Sequence, residues 1–164
     1  MLLRRVCIAC ALFVASAEVA GACDTAGFKG LDGLRLHRPV PGPIASGFGM
    51  RQHPLLRIPK FHYGLDFAAA RGDPVQATAK GRISFAGPKG EYGNLVMIEH
   101  GDGLASTYGH LSRIGVKEGD CVGPGAVIGP AGSTGMTAEV IVHLEVHVQG
   151  KHVDPAPVID DTPR

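Results

Sequence analysis

The stretch E-V-I-V-H-L-E-V-H-V-Q-G, from Glu139 to Gly150, decides the fold. Val140, Val142, Leu144, Val146 and Val148 form one alternating set. Glu139, Ile141, His143, Glu145, His147 and Gln149 form the other. A period of two marks a half-buried β-strand, because successive side chains leave a strand on opposite faces. The valine set is the core face and the second set the open face. Ile141 alone breaks the open face, an apolar β-branched residue among acids, imidazoles and an amide.

The rest of the chain agrees with this strand. From Ala45 onward, short apolar runs are interrupted by Gly, Pro and Asp every eight to twelve residues or so, the spacing of an all-β protein. Strands are expected at 75–78, 81–86, 95–99, 104–110, 126–128 and 140–148. Gly 24 and Pro 12 together make about 22% of the chain, against a usual value of roughly 12%. That excess suits many turns between short strands. No long run has period 3.6, so little helix is expected.

The chain begins with Arg4 and Arg5, continues with an apolar run over 6–17, and reaches Ala20-Gly21-Ala22. A basic start, an apolar centre and a small-residue exit predict a secretory signal peptide at 1–22. The protein is therefore expected to be exported, to the periplasm or cell envelope. A linker is expected at 23–39, the domain at 40–157 and a tail at 158–164. Cys7 and Cys10 leave with the signal; Cys23 and Cys121 remain. In an oxidising compartment these two can pair. The alternative is a lipid anchor on Cys23, although Ala20 stands where lipoprotein signals prefer Leu. No other stretch is long enough to span a bilayer. A net charge of +1 excludes an electrostatic argument for nucleic acid. A monomer is expected.

Candidate chemistry lies in three stretches. In F-H-Y-G-L-D-F, 61–67, His62 and Asp66 share the polar face. On an extended strand they would stand roughly 13 Å apart, too far for one ion whose ligands lie about 2 Å away. The chain must bend, and Gly64 is where it can. In S-T-Y-G-H-L-S, 106–112, His110 ends an alternating run. On the opening strand, His143 points from the open face. Two histidines and one carboxylate make a zinc site with its fourth position left for water, suited to amide hydrolysis. His147, four residues beyond His143, is roughly 13 Å away on a strand and out of reach. Glu145, two residues from His143 on the same face, is either an acceptor that orients His143 from behind or a solvated strand carboxylate.

Six segments occur in order: S-G-F-G-M-R-Q-H-P at 46–54, H-Y-G-L-D-F-A-A at 62–69, Y-G-N-L-V-M-I-E-H-G at 92–101, Y-G-H-L-S at 108–112, G-S-T-G at 132–135 and H-L-E-V at 143–146. Together they resemble the lysostaphin-like zinc metallopeptidases, peptidase family M23, over about residues 40–157. The resemblance implies a mostly antiparallel β domain with a groove walled by loops, cutting peptide bonds in bacterial peptidoglycan. It implies Zn²⁺ ligands at His62, Asp66 and His143. It implies that His110 is one of two histidines flanking the metal-bound water. The second flanking histidine belongs to an H-x-H motif that reads I-V-H here, so its position is Ile141.

Two functions follow from that departure. One is a zinc endopeptidase weakened by Ile141, with Glu139 as a candidate substitute on the same face. The other is an inactive zinc-binding module that binds peptidoglycan or activates a cell-wall amidase.

Overall fold

The computed structural model describes Cys23 and residues 33–160. The signal segment expected at 1–22 and residues 161–164 of the expected tail lie outside the described residues. Strands dominate. They are β1 (Leu36–His37), β2 (Ile44–Ser46), β3 (Gly49–Gln52), β4 (Pro59–His62), β5 (Leu65–Ala68), β6 (Pro74–Gln76) and β7 (Gly81–Pro88), followed by β8 (Asn94–Gly101), β9 (Leu104–Leu111), β10 (Cys121–Val122), β11 (Val127–Pro130), β12 (Ile141–Val148), β13 (Lys151–Val153) and β14 (Ile159–Asp160). Helical structure among the described residues is limited to two 3₁₀ turns, Gly90–Tyr92 and Ala156–Val158. No helix among them is long and apolar enough to cross a membrane.

The main sheet runs β10-β7-β8-β9-β12-β5-β2, with β13 added to β12. Every pairing within it is antiparallel. Among the described residues only the short β1–β14 pair is parallel. All six expected strands are present with ends shifted by a residue or two. The fold is all-β and mostly antiparallel, as the sequence predicts.

One face of the sheet packs on the core. Leu65 and Phe67 of β5, Val142 and Leu144 of β12, Tyr108 of β9, and Val96 and Ile98 of β8 close against Val75 and Ile128 of the β6–β11 ribbon. Each comes from alternate positions of its strand, which is what a one-sided sheet demands. The other face of β12 is not open. His143 is 7% exposed and Glu145 3%. The alternation reports which way a side chain points; it does not report what covers it.

The segment expected as a linker is in part structural. Leu34 and Leu36 are buried with Ala79, Leu104, Val146 and Val158 in a second cluster. β1 pairs with β14 across it, so the start of the expected tail is structural too. Apolar residues spaced among glycines and charges had no periodicity to betray them, because only two residues of each terminus join a strand. Cys23 and Cys121 form a disulfide across 98 residues, with Cα atoms 5.3 Å apart. That engages the thiol a lipid anchor would need.

Candidate active-site cleft

Register assembles the site. On β12, His143 faces Asp66 of β5 on one side and Gly109 of β9 on the other. Directly opposed residues of an antiparallel pair share a face, so His143 and Asp66 point the same way. A one-residue slip of β12 would turn His143 into the core.

His62 arrives from a different direction. β4 ends at His62 and pairs with β3 in a separate ribbon, while β5 begins at Leu65 in the main sheet. The chain bends between them, as the His62–Asp66 spacing requires. Gly64 serves this bend by having no side chain. A Cβ there would collide with the Leu144 carbonyl and press on the His143 ring. Tyr63, which alternation assigns to the apolar set, is half exposed because of the bend. Phe61 instead packs edge-to-face with Phe48, ring centroids 5.1 Å apart.

Three atoms then converge. His62 Nε2 lies 3.1 Å from Asp66 Oδ1 and 3.1 Å from His143 Nδ1, and His143 Nδ1 lies 2.7 Å from Asp66 Oδ1. The far side of each residue is fixed. His62 Nδ1–H donates to the Gly47 carbonyl at 2.6 Å. His143 Nε2–H donates to Glu145 Oε1 at 3.2 Å, and Tyr92 O–H donates to the same oxygen at 2.8 Å. Arg51 Nη2 donates to Asp66 Oδ2 at 3.1 Å. With those hydrogens committed, three lone pairs point at one another. Such a set could hold a cation among it. Donors bound to a tetrahedral ion at about 2.0–2.1 Å lie roughly 3.3 Å apart, close to the separations here. A nitrogen, nitrogen, oxygen set suits zinc.

The electrostatics tell the same story. Burial raises the Asp66 carboxyl, but the His143 and His62 imidazoles packed against it outweigh burial and hold Asp66 well below the usual carboxylate range. Burial likewise raises Glu145, and His143, His147 and Tyr92 more than reverse it. Burial lowers His143, yet Asp66 and Glu145 together push it up to about 9. Without a metal the cluster therefore keeps a positive charge between two carboxylates, on a proton.

His110 reaches the cleft by a device the sequence reading missed. On β9, Ser106 and Tyr108 are buried on the core side, and strict alternation would send His110 after them. Instead Tyr108 pairs with Val96 and Leu111 with Asn94, so β9 carries one residue more than β8. His110 sits in this bulge with φ +64°. A bulge re-aims a side chain, and here it turns His110 into the cleft with His62 and His143. The signal was available: the apolar positions step from Tyr108 to Leu111, not to residue 110. His110 Nδ1–H donates to the Thr134 carbonyl at 2.7 Å. Burial lowers its pKa, so the ring is neutral with Nε2 carrying the lone pair.

Thr134 belongs to G-S-T-G. Its hydroxyl donates to the Leu111 carbonyl at 2.8 Å and accepts from the Asn94 amide at 2.9 Å. Gly93 and Gly135 pack so closely that a Cβ on either would meet backbone, and both have positive φ. This clamp fixes the carbonyl that orients His110.

Ile141 lines the same cleft, together with Met136, Thr137 and His143. Glu139 lies before the start of β12, exposed, and is not among the cleft residues. The alternation does not continue through it, so it offers no substitute group. The remaining histidines have other partners. His100 is buried in the core, His53 Nδ1 accepts from the Leu55 and Leu56 amides, and His37 bonds Gln76. His147 and His152 gather on the far side of Glu145.

Over 131 residues the chain is 46% identical to the DD-carboxypeptidase/endopeptidase Mpg of Neisseria meningitidis serogroup B, covering 80% of this chain and 30% of that protein. It is 35% identical over 119 residues to the murein hydrolase activator NlpD of Salmonella dublin, covering 71% of this chain and 29% of that protein. The chain thus spans less than a third of the length of these relatives. A zinc containing peptidase from Vibrio cholerae superposes with a TM-score of 0.64 at 37% identity, over 69% of this chain and 35% of that one. A model of peptidase family M23 matches residues 60–155, which include His62, Asp66, His110 and His143, and the chain belongs to that family.

Proposed function

We propose that the protein is an exported zinc endopeptidase acting on peptide bonds of bacterial peptidoglycan, with His62, Asp66 and His143 as the zinc ligands. The observation that carries this is the convergence of three lone pairs, each held from behind by a committed hydrogen bond. Zinc bound there supplies Lewis acidity for amide hydrolysis.

The chain's own residues do the rest. Arg51 and Glu145 hold Asp66 and His143 at fixed angles, as groups behind metal ligands commonly do. His110, neutral and tethered through Nδ1, presents Nε2 to the cleft. It is placed to take a proton from an attacking water and to pass it to the leaving amine. Ile141 presents only carbon where the family resemblance calls for a histidine. The transition state therefore loses one polar contact, and hydrolysis is slow. The substrate assignment draws on the Neisseria relative, named for DD-carboxypeptidase and endopeptidase activity. Export rests on the sequence of residues 1–22.

A second reading has its own support. Ile141 in the cleft and the Salmonella relative, named as a murein hydrolase activator, favour a binding module that acts through a cell-wall amidase. One experiment separates the two. Purified peptidoglycan is incubated with the natural chain and with Ile141→His, with and without chelator. Chelator-sensitive release of peptides by the natural chain supports the endopeptidase. Release only after Ile141→His restores the binding module, as does silence in both with stimulation of an added amidase.

A further inference from the structure

Behind the cleft, β12 and β13 form a hairpin closed by Gln149 and Gly150, both with positive φ. Positive φ at both central residues is the signature of a tight type I′ turn, which fixes the register of the strands that leave it. Val148 and Lys151 flank the turn, and the next opposed pair is His147 and His152. Opposed residues of a hairpin bring their Cβ atoms to about 5 Å, and these two rings stand with centroids 4.3 Å apart.

Glu145 completes a group with them. Its Oε1 is used by His143 and Tyr92. Its Oε2 faces the hairpin, 3.2 Å from His147 Nε2 and 3.6 Å from His152 Nδ1. His152 Nδ1 is shut off from solvent and makes no hydrogen bond. A buried, unpaired nitrogen is uncommon and asks for an explanation. Its ring packs against Tyr63, with centroids 4.6 Å apart. The three donor atoms all lie within 4.8 Å of one another.

We propose that Glu145 Oε2, His147 Nε2 and His152 Nδ1 form a second site for a divalent transition-metal ion of the zinc class. Two imidazoles and a carboxylate are the donors that zinc, nickel and copper take, not those of magnesium or calcium. The separations from Oε2 bracket the roughly 3.3 Å expected between donors on one tetrahedral zinc ion. His147 is 18% and His152 32% exposed at the side chain, so solvent can fill the remaining positions. An ion here would orient the unpaired His152 nitrogen and clip β13 to β12. The site uses none of the three cleft donors and stands whether or not the cleft binds zinc.

The test is metal stoichiometry in the full chain with its disulfide intact. Stripped protein is dialysed against Zn²⁺ and its metal content measured. The natural chain is expected to hold two equivalents, Asp66→Ala one, and His152→Gln one. If Asp66→Ala fails to fold, His62→Gln takes its place. Co²⁺ added to the cleft variant should broaden the ring resonances of His147 and His152 in the NMR spectrum. A cleft variant that holds no zinc, or His152→Gln holding as much as the natural chain, overturns the proposal. A natural chain that holds one equivalent, lost in His152→Gln and kept in Asp66→Ala, supports the hairpin site and sinks the cleft reading instead.

Discussion

His100 on β8 and His143 on β12 lie in one sheet, both buried, and they meet opposite surroundings. One His100 nitrogen pairs with the Lys80 carbonyl at 2.7 Å and the other with Ser106 Oγ at 2.8 Å. The chain of hydroxyls continues through Tyr108 to Thr78. Every partner is neutral, and burial keeps His100 below its ordinary pKa. His143 meets two carboxylates and another imidazole, and is pushed up to about 9 in spite of burial. The first network is closed and electroneutral. The second closes only around a cation. Burial alone does not tell a structural histidine from a functional one; the balance of lone pairs and protons around it does.

The sharpest way to break the comparison is to remove the carboxylate from one side of it. Asp66→Ala leaves His62 and His143 without their shared anion. The cleft zinc is expected to be lost, and any peptide release to fall by more than about three decades. Metal analysis and peptidoglycan release check both. Ile141→His comes next in size. It adds a polar group beside the reacting centre, and a group of that kind is worth on the order of two to three decades in rate. The assay is initial rate on the same peptidoglycan, and an unchanged rate would remove Ile141 from the account of slow catalysis. Arg51→Met is smaller. It strips Asp66 Oδ2 of its 3.1 Å partner while leaving all three donors, so cleft zinc affinity should fall about 10–100-fold. Competition with a chelating dye reads it.

Much of this contrast was legible before any coordinates. The alternation of 139–150 gives the facing of His143 and Ile141, and the impossible span from His62 to Asp66 gives the bend at Gly64. Two things were not legible, for physical reasons. Cross-strand register is a long-range property: nothing within β12 says that Asp66, and not a neighbour on β5, stands opposite His143. Nor does a strand's own pattern show what covers its polar face. Tyr92 and Arg51 cover it from segments distant in sequence, and β13 folds back beside it through the two-residue turn at Gln149 and Gly150. The His110 bulge lay between these cases. Its parity break, Tyr108 to Leu111, was written in the sequence, but a strand ending at that point explains the same break equally well.

The smallest expected effect lies on the structural side of the comparison. His100→Gln should leave zinc content unchanged, because none of the His100 partners touches the cleft. It should cost stability, about 1–3 kcal/mol if the Lys80 carbonyl or Ser106 hydroxyl loses its partner. The pH dependence carries more information than the loss itself. His100 has a folded-state pKa below its ordinary value of about 6.5, owing chiefly to burial. The unfolded chain therefore takes up a proton on this residue before the folded one does, and its share of stability, whole above about 6.5, is lost as pH falls through that value. Denaturant midpoints at pH 7.5 and 5.5 should draw closer together in His100→Gln than in the natural chain, measured in chelator so that the metal sites stay empty in both. A pH slope that survives the substitution would assign it to another buried histidine, and His110, also lowered by burial, would then be the one to replace.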